Sequence, residues 1–183
     1  MNIYHSKLNK LRKNRKEKGA SILEIIIYMG IAAFVLVMVM QGGNQATDTQ
    51  KVNAAVQNLN TLKTSIKQMF GTQGTFEGIS NQVLTASSNF PEQMRVPSDD
   101  TLIQHGWKTD GVDVIAVNVS GSDNDGYEVK LKGVPQRACV DILDKTYRHF
   151  AEVEANNTDV KSGIAAIRTN CTDGDNDLIF RDR

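Results

Sequence analysis

A run of 21 residues, 20–40, is apolar apart from Ser21, Glu24 and Tyr28, and it follows directly on a strongly basic stretch. No other feature restricts so severely what the chain can become. At about 1.5 Å of rise per residue, a helix of this length matches the roughly 30 Å hydrocarbon core of a bilayer. Lys7, Lys10, Arg12, Lys13, Arg15, Lys16 and Lys18 precede it, with Glu17 as the one acid among them. The positive-inside bias therefore predicts a cytoplasmic N-terminus and export of everything after Met40. A cleavable secretory signal also opens with bases, but its apolar core runs for about 7 to 15 residues and ends at a small-x-small site. Here the apolar run is longer and continues into helix-compatible sequence.

The formal net charge of zero, from 21 bases and 21 acids, conceals an asymmetry. Seven bases and one acid lie in 1–19, which leaves 14 bases against 20 acids from Ala20 onward, a balance of −6. A body this acidic lacks the electropositive surface that supplies non-specific nucleic-acid affinity, so no nucleic-acid partner is expected. The two cysteines, Cys139 and Cys171, fit an exported domain, because an even pair in an oxidising compartment forms a disulfide. They offer too few ligands for a metal site. Asp173, Asp175 and Asp177 have the alternate spacing of a calcium loop, yet Leu178 stands where its glycine is required; a solvated acidic turn is the expectation. Asp123, Asp125 and Glu128 read as a polar hairpin turn. His5, His105 and His149 are accompanied by no Ser or Cys nucleophile motif, so no catalytic residue, metal or cofactor is expected and the chain is not read as an enzyme.

Beyond the polar stretch 41–45, Val52, Val56, Leu59, Leu62, Ile66 and Met69 recur at steps of three and four, a helical stripe that ends near Gly71 and Gly74. The chain is thus predicted to open with a helix of roughly fifty residues, apolar all round in 20–40 and amphipathic in 44–70. A long loop is expected over 75–111, strands over 112–119 and 127–131, and a helix from Pro135 to about Ala155. Segments 164–167 and 178–180 read as short strands around Cys171.

The junction Lys18-Gly19-Ala20-Ser21-Ile22-Leu23-Glu24 carries the sharpest signal. It resembles the leader junction of type IV prepilins, in which a membrane aspartyl protease cuts after the glycine, the new N-terminus is methylated, and the fifth mature residue is Glu. The resemblance implies cleavage after Gly19, N-methylation of Ala20, and an assembly role for Glu24. Physical chemistry points the same way, since a carboxylate near the end of a membrane helix costs a few kcal/mol and is rarely kept without a partner. The Ala20 amine of a neighbouring copy would be such a partner. Snorkelling of Glu24 to the headgroups is the competing account.

A 19-residue leader resembles those of type IVb precursors, the bundle-forming, toxin-coregulated and conjugative thin-pilus pilins. The stretches Phe76-Glu77-Gly78-Ile79, Phe90-Pro91-Glu92-Gln93-Met94 and His105-Gly106-Trp107 are similar to the loop after the long helix in thin-pilus pilins. Gln136-Arg137-Ala138-Cys139, with the second cysteine near Arg183, resembles the disulfide-closed region of that class. Ala20 departs from the pattern, because type IVb pilins usually carry a larger apolar residue there. The implied fold is α+β: a long N-terminal helix on a small antiparallel sheet, with a second helix in a region closed by Cys139 and Cys171. The implied segments are a leader, 1–19, a membrane and filament-core half-helix, 20–40, and an exported pilin domain, 41–183. The implied partners are further copies of the chain, the prepilin peptidase, the pilus assembly machinery and the inner membrane. The implied destination is an extracellular pilus. A minor pilin or type II secretion pseudopilin shares the signal, and an uncleaved membrane-anchored binding module is the reading from another class.

Overall fold

A computed structural model describes residues 21–183, and of 38–46 the backbone alone. Its first element, α1, runs from Ile22 to Phe70 and has 49 residues. The chain divides between Asn44 and Gln45 into two compact units, each with its own character. In the first, the side chains of 22–37 are exposed, the large apolar ones included. Among the described residues no helix is long and apolar enough to cross a membrane.

In the second unit, α1 presents a buried stripe of Val52, Ala55, Leu59, Leu62, Ile66 and Phe70. The sequence pattern placed Val56 and Met69 in that stripe, but both are only partly buried. Ala55 and Phe70 take their places, because steps of three and four can be read from either of two adjacent rows of a helix and the sheet below selects one. Each fully buried Leu or Ile contributes about 1.5–3 kcal/mol of transfer free energy.

The segment expected as a loop is largely structured. It holds α2 (Asn81–Thr85), a 3-10 turn (Glu92–Met94), β1 (Arg95–Val96), β2 (Asp99–His105) and the first residues of β3 (Lys108–Val117). Then follow β4 (Gly126–Pro135), α3 (Gln136–Thr146), β5 (Glu152–Ala155), β6 (Thr158–Asp159), α4 (Ile164–Asn170) and β7 (Asp175–Asp182). Residues 164–167, expected as a strand, therefore form a helix, whose Ile167 is buried in the core beside Cys171. The helix opening at Pro135 ends at Thr146 instead of continuing to about Ala155. Phe150 keeps the helical spacing but turns to pack, tilted, against Phe180 of β7, with ring centroids 5.1 Å apart.

The strands form one antiparallel sheet in the order β1-β2-β3-β4-β7-β5-β6. Its core face comprises Val112, Val114, Tyr127, Val129, Leu131, Val153, Leu178 and Phe180, in one cluster with Leu59, Leu62 and Ile66 of α1 and Ile142 and Leu143 of α3. On β4 the alternation is complete: Tyr127, Val129 and Leu131 are buried, while Glu128, Lys130 and Lys132 between them are half-buried. Arg181 of β7 ties three strands on the other face, meeting Glu128 at 2.8 Å, Glu154 at 2.6 Å and Glu152 at 3.2 Å.

Candidate functional site

Chemistry-bearing residues gather in two places. The first is the start of α1. Ser21 stands just before the helix, and its carbonyl accepts from the N–H of Glu24 at 2.8 Å and of Ile25 at 3.1 Å. Glu24 thus occupies the first turn, where the unpaired N–H groups and the helix dipole favour a carboxylate. One turn on, the Tyr28 hydroxyl donates to Glu24 Oε1 at 3.4 Å. Around this acid, Ile22, Leu23, Ile25, Ile26, Ile27 and Met29 are between 47% and 78% exposed, and Ile31, Phe34, Val35, Leu36 and Val37 continue the apolar surface. An apolar surface of this extent marks an interaction with membrane or protein. Gly19 and Ala20, the expected cleavage junction and methylated residue, lie outside the described residues.

The second place is the region closed by the cysteines. Cys139 in the first turns of α3 and Cys171 at the end of α4 form a disulfide, with Cα atoms 5.9 Å apart. Gln136 Nε2 donates to the Cys171 carbonyl at 3.1 Å, which ties the start of α3 to the same point. Beside the disulfide lies a fully buried amide. Asn176 donates through Nδ2 to the carbonyls of Val134, Thr172 and Gly174 at 3.1, 2.9 and 3.1 Å. Its Oδ1 accepts from the Thr172 N–H and from Asn156 Nδ2, both at 2.8 Å. Asn156, with φ 51°, extends the network by accepting from the Asp177 N–H at 3.0 Å and donating to the Asn170 carbonyl at 2.8 Å. The two amides satisfy backbone groups of β4, α4, the loop between α4 and β7, and β7 at once. Sequence reasoning did not find them, because an asparagine among Asp173, Asp175 and Asp177 reads as part of a solvated turn. That expectation is corrected in part: Asp175 and Asp177 lie in β7, and Asp177 pairs with Lys130 at 2.9 Å.

A third contact clamps the amphipathic half of α1 to the sheet. Lys63 and Lys67, one turn apart, both meet Asp182 Oδ2, Lys67 at 3.2 Å. Lys63 also donates to the His149 carbonyl and lies 4.5 Å above the Phe150 ring. Burial pulls the Asp182 carboxyl upward, but the Lys63 ammonium, the Arg183 backbone N–H and Lys67 outweigh it and hold the group below its ordinary range. The Asp125 carboxylate closes the β3–β4 turn, accepting from the N–H of Val119 at 2.6 Å and of Ser120 at 2.9 Å. Among the described residues no group of three or more His, Cys, Asp or Glu side chains is placed to hold a metal.

Comparison with known proteins gives these features a setting. The family described as PilS N terminal matches residues 49–182. The toxin coregulated pilin of Vibrio cholerae serotype O1 is 22% identical over 139 residues, 72% of this chain and 58% of that protein. A second Vibrio cholerae toxin coregulated pilin is 21% identical over the same shares. The chain therefore spans little more than half the length of the curated relatives it matches. Among solved structures, TcpA, a type IV pilin from Vibrio cholerae El Tor biotype, superposes with a TM-score of 0.53 at 12% identity, covering 73% of this chain and 99% of that one. A type IVb pilin from Salmonella typhi gives 0.54 at 20% identity, with 70% and 97% covered. These likenesses establish the fold, and the relatives are structural pilins rather than enzymes.

Proposed function

The chain belongs to the PilS N-terminal family, and on that premise we propose that it is a type IVb pilin, the structural subunit of a type IVb pilus, cut after Gly19, methylated on the Ala20 amine and polymerised through α1. The observation that carries this reading is the exposed apolar surface from Ile22 to Val37, broken by one carboxylate, Glu24, in the first turn. Such a surface is compatible with lipid while the subunit waits and with like helices once it assembles. Glu24 then has two successive roles. Before cleavage it sits at the helix start, where the dipole favours it. In the filament it neutralises the Ala20 amine of a neighbouring subunit, a pairing that a dry interior makes far stronger than at a water-exposed surface.

In this reading 1–19 is the removed leader, 20–40 forms the membrane anchor and later the filament core, and 41–183 is displayed outside. The prepilin peptidase and the assembly machinery act on the inner-membrane precursor before the subunit enters the extracellular pilus. N-terminal mass spectrometry of sheared surface filaments tests the sequence of events. A peptide beginning at N-methylated Ala20 from an abundant filament protein is the expected result. A precursor intact from Met1, found only in membranes, would leave an uncleaved membrane-anchored module. A processed chain in trace amounts would indicate a minor pilin or pseudopilin.

A further inference from the structure

At the end of β2 the side chain of His105 reaches across β3 toward β4. Its Nε2 lies 2.9 Å from the carbonyl oxygen of Lys132, and the Trp107 backbone N–H donates to its Nδ1 at 3.2 Å. A carbonyl only accepts and an amide N–H only donates, so the two contacts select the neutral imidazole with its hydrogen on Nε2. The path across β3 is open because residue 111 is glycine: a Cβ there would stand 2.5 Å from the ring Cδ2 and Nε2. Lys132 lies just past the Val112–Leu131 pair of the β3–β4 ladder, at the bulge that interrupts β4–β7 pairing between Leu131 and Val134.

The charge that acts on the ring is the Lys108 ammonium. Lys108 comes from β3, Lys132 from β4, and Lys51 of α1 lines the same groove as His105. Asp110 and Asp113 of β3 are engaged by Lys132 Nζ at 3.2 and 3.1 Å. The 3-10 turn adds only the uncharged Gln93 and Met94 to the groove.

We propose that His105 is a pH-sensitive latch on the β2–β3 hairpin. A proton added to Nδ1 converts the acceptor of the Trp107 N–H into a second donor facing it, and sets an imidazolium beside the Lys108 ammonium. The ring leaves its seat, and the hairpin end carrying Trp107 is released from β4 and from the groove against α1. Burial first, and the Lys108 charge, lower the imidazole's proton affinity, while the carbonyls of Lys132 and Gly111 oppose them; the net direction is down. The latch therefore contributes stability that is complete above the ordinary histidine value of about 6.5 and is lost as pH falls through the lower folded-state value.

Trp107 is the sole tryptophan, so its emission reads the hairpin directly. In the full-length chain in detergent, with the disulfide oxidised, lowering the pH from about 7.5 to about 5, across the range in which histidine titrates, is expected to red-shift Trp107 emission reversibly. His105→Gln is expected to remove the response, and His149→Gln to retain it. Should His105→Gln fail to fold, proton NMR of the wild type decides: the His105 ring resonances and the Trp107 indole N–H must move with one midpoint. A pH-independent Trp107 in the wild type, an unchanged response in His105→Gln, or ring titration without movement of the indole would each overturn the latch.

Discussion

Asn176 and Glu24 are single polar residues with opposite surroundings, and substitution should act on them in opposite ways. Asn176 is fully buried and satisfies carbonyls of Val134, Thr172 and Gly174 together with the Thr172 N–H. Asn176→Ala leaves several of these groups buried and unpaired, at about 1–3 kcal/mol each before relaxation. The variant is expected to lose on the order of 3 kcal/mol in denaturant unfolding; a loss below about 0.5 kcal/mol, the scale of ordinary surface changes, would show the network to be replaceable. Glu24 is exposed and holds no part of the core. On the proposed function, Glu24→Ala should therefore leave the Gln45–Arg183 unit folded, the precursor inserted and the Gly19 cut intact. Filaments should be lost, because the Ala20 amine would lie in apolar surroundings without a counter-charge, at several kcal/mol per subunit. Normal numbers of full-length pili by electron microscopy would reduce Glu24 to a residue favoured only by the helix start.

At the scale of elements, the sequence makes α1 and β4 legible because their patterns run long enough to exclude other periods. The 49 residues of α1 hold an apolar run and then a stripe, and β4 alternates from Tyr127 to Lys132 before the bulge. The pieces between 75 and 111 are not legible. β2, Asp-Asp-Thr-Leu-Ile-Gln-His, has one fully buried residue, Ile103, and is a strand because β3 pairs with it. Four residues such as Ile164-Ala165-Ala166-Ile167 fit a strand or a helical turn equally well by period, and tertiary contacts decide. The cysteine pair was readable from number and compartment, whereas the Asn156–Asn176 network depends on loop geometry that no residue spacing announces. The clamp between α1 and β7 has its own signature in acid. Asp182 titrates below its ordinary range when folded, so its contribution is present above about pH 3.9 and is lost as pH falls through the folded value. Asp182→Asn is expected to lower the denaturant midpoint at neutral pH, with the difference from wild type shrinking near pH 2. An equal difference at both pH values would mean that the ion pairs with Lys63 and Lys67 contribute nothing there.

For the whole molecule, covalent and non-covalent closure meet at one corner of the Gln45–Arg183 unit. The Cys139–Cys171 bridge has a sequence separation of 32 residues, and closing a loop of that size contributes roughly 3 to 4 kcal/mol in the chain-entropy model. Cys139→Ser is expected to lower the unfolding midpoint and the steady-state amount of subunit, and Cys171→Ser to match it. The pair of single variants should also equal the double variant, since each removes the same bond. Alkylation of both thiols in the native protein would contradict the bridge. The position of β7 carries a further consequence, for biosynthesis. It is the latest strand in chain order yet lies between β4 and β5, so in a subunit exported as proposed, until residues 175–182 have crossed the membrane β4 presents an open edge and the β5–β6 pair has no neighbour to join. Translocation must finish before the sheet can close. A chain stalled earlier exposes the unpaired strand edges on which aggregation begins, which makes the last stretch of export, rather than its start, the moment when the subunit most needs protection.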